Sequence, residues 1–131
     1  MVNNKIQTIN SKLIKMKYSV VVTFSIEGFH CWPAAKDVFP EVAFLSYRHR
    51  HMFGFRCYAY VTHTDRDEEF ILLNRKIQKA LRIGFTSPIT NVLEFDSMSC
   101  EMIGEWLLNE FPALYKVEVW EDFENGCVIE R

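Results

Sequence analysis

Histidine is scarce in this 131-residue chain: there are four, and none follows His63. Glycine (five) and proline (four) are also few, which excludes a Gly/Pro-rich linker or a low-complexity tract. The cysteines Cys31, Cys57, Cys100 and Cys127 lack any C-x-x-C spacing. That excludes a cysteine-rich zinc ribbon and a thioredoxin-type redox pair. With no signal peptide ahead of them they read as reduced thiols, and the expected location is cytoplasmic. No apolar run approaches the ~20 residues of a membrane span, so no membrane partner is expected. Basic charge is not in excess either: 15 Lys and Arg against 17 Asp and Glu leave a net charge of −2. A nucleic-acid partner would need a basic footprint, so none is expected.

What the chain does have is apolar bulk. Hydrophobic residues make up 49% and aromatic residues 15%, with eleven phenylalanines. This is a globular composition, and a chain of this length buries roughly two-thirds of its unfolded surface without disulfide staples. The surplus of phenylalanine suggests further apolar surface to cover, as between subunits. Residues 1–15 are polar, with a weak helical stripe at Ile6, Ile9, Leu13 and Ile14, and read as an N-terminal extension. Residues 16–131 read as one domain.

Within that domain, residues 18–29 are rich in β-branched and aromatic residues and predict a long strand. Residues 31–47, with Pro33 and Pro40, read as loop. Residues 52–63 alternate, with Phe53, Phe55, Cys57, Ala59 and Val61 on one face, as a half-buried strand does. Residues 70–73 read as a short strand or lead-in. Asn74 is a candidate cap for a helix reaching about Ile83, and residues 84–96 read as loop. Ser97 or Ser99 starts a second helix whose stripe is Met102, Ile103, Trp106, Leu107 and Phe111. Residues 115–120 and 127–129 read as closing strands, with Glu124-Asn125-Gly126 as the tight turn between them. The expected fold is α+β: a four-stranded antiparallel sheet with two helices on one face, in the order β-β-α-α-β-β.

Three of the four histidines fall in two places, His30 and the pair His49-Arg50-His51. On a strand, an H-x-H spacing puts both imidazoles on one face. His30 joins them if its strand pairs with theirs. Three neutral imidazoles with an open position are how a catalytic zinc is usually held. The other reading is that His49 and His51 are solvated positions in the basic stretch from Arg48 to His51. Spacing alone leaves both open.

Three stretches resemble the 6-pyruvoyl-tetrahydropterin synthase and 6-carboxy-tetrahydropterin synthase family. Phe24-Ser25-Ile26-Glu27-Gly28-Phe29-His30 is similar to the family's first strand, which ends in a zinc histidine. His49-Arg50-His51-Met52-Phe53 is similar to its H-G-H-aromatic motif. Val119-Trp120-Glu121-Asp122, followed by Asn125-Gly126-Cys127, is similar to its closing hairpin with a pterin-anchoring glutamate. Met98-Ser99-Cys100-Glu101 stands where the family has P-T-S-E. The resemblance spans about residues 17–131. It implies the tunnelling fold, a homo-oligomer (trimer or hexamer) with intersubunit sites, and zinc held by His30, His49 and His51. Glu121 would clamp the guanidine-like edge of a pterin, a purine-type base or a nucleotide through two parallel hydrogen bonds. Ser99 and Cys100 would offer backbone N–H groups to the same ring. Glu101 would either face the ligand or stabilise the helix start.

The departures concern proton transfer. The family's cysteine base lies four residues before the H-x-H pair, where this chain has Leu45. The family's Asp-His pair before P-T-S-E has no counterpart, and Asp96 alone does not replace it. Cys31 is the nearest substitute, although on a continuing strand it would point away from His30. His63 reads as structural, and Arg50 replaces the glycine between the zinc histidines. The expectation is therefore a zinc-binding pterin synthase-like protein with degenerate catalytic machinery. The alternative is an active lyase acting on 7,8-dihydroneopterin triphosphate, with Arg48, Arg50 and Arg56 as candidate phosphate contacts.

Overall fold

The structure, a computed structural model, describes residues 15–131. Apart from Lys15, the expected N-terminal extension lies outside the described residues. The elements run β1 (Tyr18–His30), a one-turn helix α1 (Ala35–Val38), a 3-10 segment (Pro40–Ser46), β2 (His49–Val61), α2 (Phe70–Phe85), β3 (Leu93–Glu94), α3 (Cys100–Glu110), β4 (Leu114–Glu121) and β5 (Asn125–Glu130). The class is α+β, as the sequence predicts. The sheet, however, is five-stranded and mixed, in the order β3-β1-β2-β4-β5, where four antiparallel strands were expected. The added strand is two residues long and parallel to β1. Such a strand has no periodicity to read. It is drawn in by the burial of Leu93 and Phe95, and the Phe95 N–H donates to the Phe29 carbonyl at 2.8 Å. Among the described residues, no helix is long and apolar enough to cross a membrane.

β1 and β2 pair antiparallel along their whole lengths, from Tyr18 opposite Val61 to His30 opposite His49. β2 therefore starts at His49, three residues before the expected Met52. Alternation puts Val22, Phe24 and Ile26 of β1 on the core face beside Phe53, Phe55, Cys57 and Ala59 of β2. Helices α2 and α3 cover that face with Leu73, Ile77, Leu81, Ile103, Leu107 and Leu108.

The ends of α2 and its preceding segment differ from expectation for local reasons. Phe70, Ile71 and Leu72 read as strand, yet they form the first turn of α2 with more than half of each side chain exposed. The cap is Glu69, whose carboxylate accepts from the Ile71 N–H at 2.8 Å. Asn74 is one turn inside the helix and accepts from Gln78 at 2.7 Å. In residues 31–47, expected as loop, a fully buried Ala35 anchors α1, and Pro40 opens the 3-10 segment, where its missing N–H costs nothing.

Ser99 caps α3 as expected, its hydroxyl accepting from the Met102 N–H at 3.1 Å. The buried face of α3 is rotated from the expected stripe: Met102 is more than half exposed, and Cys100, Gly104 and Leu108 point inward. The closing turn also moves. Asn125 and Gly126 pair within β5, and the turn is Glu121–Glu124, with Asp122 and Phe123 in the left-handed region at φ 53°. Asp tolerates that conformation, and the Phe123 ring folds onto Gly54, where a Cβ would meet it at 2.1 Å. Gly126 is held to glycine by close approach, since a Cβ there would lie 2.5 Å from the Val119 carbonyl oxygen.

Candidate metal centre and adjoining cleft

The pairing of His30 with His49 puts two imidazoles side by side at the end of the core face. His51 is two residues further along β2 on the same face, opposite Gly28, which has no side chain to fill the space. The three rings sit edge to face with centroids 4.6, 5.3 and 4.9 Å apart. The fully buried Phe53 lies beneath them, 5.1 Å from His30 and 5.5 Å from His51. His49 and His51 are therefore half-buried positions on β2 rather than fully solvated ones in a basic stretch.

Each ring is oriented through its Nδ1. His30 Nδ1 lies 2.9 Å from the Met98 carbonyl, His49 Nδ1 2.8 Å from the Tyr47 carbonyl, and His51 Nδ1 2.7 Å from Asp122 Oδ2. All three partners are acceptors, so Nδ1 carries the proton and each neutral ring presents an Nε2 lone pair. Those three Nε2 atoms are shielded from solvent and have no hydrogen-bond partner. Glu121, at the end of β4, joins them: its Oε2 is 2.9 Å from His30 Nε2 and 3.4 Å from His51 Nε2. One donor atom from each of His30, His49, His51 and Glu121 lies within 4.8 Å of the others.

Three lone pairs and a carboxylate oxygen facing one point repel unless a cation stands among them. A proton or a metal ion can be that cation. The proton's share shows in His30: burial pushes its pKa down, but Glu121 and the Met98 carbonyl outweigh burial and leave it raised. Burial and the two neighbouring imidazoles hold His49 below its ordinary value. Contact with His30 holds Glu121 below the usual carboxylate range, and His51 does the same to Asp122. This group could bind a metal ion. Three imidazoles oriented by oxygen acceptors through their second nitrogens are the usual ligand set and outer-shell arrangement of such a site.

A cleft of about 410 Å³ opens beside the imidazoles, within the size range of small-molecule sites. Every residue that the sequence assigns to ring binding lines it: Glu121, Ser99, Cys100 and Glu101. The last three come from the start of α3, where the N–H groups of Cys100 and Glu101 have no acceptor within the helix. Cys31, directly after the end of β1 at His30, lines the cleft too. Leu45 forms part of the wall. Burial, with Glu121 and Cys127 nearby, raises the Cys100 thiol far above its ordinary value, and burial pushes Cys127 up to about 11. Neither supplies a thiolate near neutral pH. His63 is exposed in the turn after β2, 3.5 Å from Asp67, and Asp96 contributes its backbone carbonyl to the Cys31 N–H.

Asp122 is the site residue that sequence reasoning left without a role. Its Oδ1 accepts from the Met52 N–H at 2.9 Å while Oδ2 holds His51, and its own N–H donates to the Met52 carbonyl at 2.9 Å. A carboxylate directly after Glu121 was the only available signal. The three candidate phosphate contacts are all engaged elsewhere: Arg48 with Glu94, Arg50 with Glu27 and Arg56 with Glu118.

No protein-family model matches this chain, and no curated protein matches it.

Proposed function

We propose that this chain is a zinc-binding, pterin synthase-like protein of the tunnelling-fold type. It binds a pterin, a purine-type base or a nucleotide at an intersubunit pocket of a homo-oligomer (trimer or hexamer), with degenerate catalytic machinery. The observation that carries the reading is the convergence of three unpartnered Nε2 atoms with Glu121, beside a cleft that His30, His49, Glu121 and the start of α3 line. His30, His49 and His51 would hold the metal. A bound zinc supplies Lewis-acid polarisation of a ligand oxygen. Glu121 accepts two parallel N–H bonds from a guanidine-like ring edge, and the first turn of α3 offers N–H groups to the ring's acceptors.

Assembly is supported by the open edges of the sheet. Beyond Gly28 and Phe29, β1 has no strand partner on its outer side among the described residues, and β5 has none on its own outer side. Unpaired edges of this length call for a covering partner.

One observation favours the lyase alternative on 7,8-dihydroneopterin triphosphate: Cys31 stands in the cleft wall next to His30. Leu45, in the wall where the resemblance puts a base, weighs against it, because acid–base catalysis needs a titrating group within reach of the proton.

The test is native mass spectrometry of freshly purified protein with metal analysis of the same sample. The expected result is one zinc per chain in an oligomer, with a small heterocycle bound. His49→Ala loses the metal, and Glu121→Gln loses the heterocycle while three imidazoles still hold zinc. An oligomer free of both metal and heterocycle, or a His49→Ala variant with full zinc, overturns the reading.

A further inference from the structure

We propose that the cleft selects a non-phosphorylated planar heterocycle, neutral or cationic, and rejects the phosphorylated form of the same ring. This rests on the ring-binding reading above. The argument is one of charge. Among the described residues no Lys or Arg lines the cleft, whereas Glu101 and Glu121 both do. The arginines nearest the site in sequence are already neutralised by carboxylates of this chain. Arg48 grips Glu94 in two-pronged fashion at 2.5 and 3.0 Å, with its guanidinium 3.7 Å from the centre of the Phe29 ring. Arg50 Nε is 2.5 Å from Glu27. Arg56 reaches Glu118 across the sheet's uncovered face, away from the cleft. Turning any of them toward a phosphate would break an existing ion pair.

A bound divalent ion does not reverse this balance, since Glu101 and Glu121 together offset its charge. A triphosphate entering the cleft would bring several negative charges to a wall that, among the described residues of this chain, carries no net positive charge. It would also meet apolar walls at Trp32, Leu45, Met98 and Met102. An anion desolvated there without a cationic partner is strongly disfavoured. A flat ring without phosphate suits the same surfaces, with its faces against indole and thioether and its N–H edge on Glu121.

The experiment is equilibrium competition between 7,8-dihydroneopterin and 7,8-dihydroneopterin triphosphate on the full chain, with its metal as purified. The expected result is that dihydroneopterin binds at least about tenfold more tightly at low salt, with the gap narrowing as salt screens the repulsion. Met102→Lys, which puts an ammonium on an exposed part of the cleft wall, should raise triphosphate affinity relative to dihydroneopterin by about tenfold. A triphosphate that binds as tightly as dihydroneopterin overturns the proposal and leaves the ring-binding reading intact. Failure of both compounds to bind overturns that reading, and the proposal with it.

Discussion

Asp122→Asn isolates the outer shell of the candidate metal centre. The Asp122 carboxylate serves two donors at once, His51 Nδ1 at 2.7 Å and the Met52 N–H at 2.9 Å. Asparagine has the same shape and tolerates the left-handed conformation found here at φ 53°, so the turn survives. It has only one acceptor oxygen, however. One of the two donors must then face an NH2 group, and the ring of His51 loses either its anchor or its fixed tautomer. Removing an outer-shell partner lowers metal affinity by about 10–100-fold. The Asp122 side chain is 43% exposed, so water can replace part of the lost contact and the lower end applies. The expected loss is about tenfold, or about 1.4 kcal/mol. Chelator competition at fixed pH and salt measures it, with urea midpoints of the metal-free proteins as the control for folding. An Asp122→Asn affinity within about twofold of the parent would refute the reasoning that Nδ1 contacts orient the rings.

Two further outcomes test the layers around the site. Phe53→Ala removes a fully buried ring beneath His30 and His51, and should cost about 3–5 kcal/mol in urea unfolding; a loss under about 1 kcal/mol would show that this floor is not packed. On the opposite face of the sheet, burial pushes the Glu118 pKa up, but hydrogen bonds from Tyr58 and Trp120 and the nearby Arg56 and Lys116 leave it below its ordinary 4.5. A depressed carboxylate contributes stability that is fully present above 4.5 and is lost as pH falls through its lower folded value. Glu118→Gln should therefore flatten the fall in the urea midpoint below pH 4.5, and an unchanged acid slope would refute the assignment.

The parts legible in the sequence were those that repeat or recur within one element. Alternation in β2 identified its buried face, and Ser99 marked the start of α3. The H-x-H spacing and the strand leading into His30 located the imidazoles before any pairing was known. The missed features depend on distant partners. β3 exists because Phe95 is buried against Phe53 and Phe85, a contact that no local pattern announces. The start of α2 was hidden because Phe70, Ile71 and Leu72 form an apolar run that faces solvent. The hairpin turn was placed three residues late because Asn125-Gly126 is a strong local turn signal. Pairing with Trp120 and Glu121 overrode it and put the left-handed residues at Asp122 and Phe123. That shift is also what hid the role of Asp122.

The protons around the candidate centre are held where they are. Those on the three Nδ1 atoms are committed to the Met98 and Tyr47 carbonyls and to Asp122. The Cys100 and Cys127 thiols are kept protonated by burial, and Leu45 in the cleft wall has no proton to give. A catalytic acid or base must exchange its proton near the working pH, so Cys100, Cys127 and Leu45 are poorly placed for turnover. The three imidazoles are well placed to keep their Nε2 lone pairs aimed at one ion. That arrangement supports the proposal that this chain holds a metal and a heterocycle.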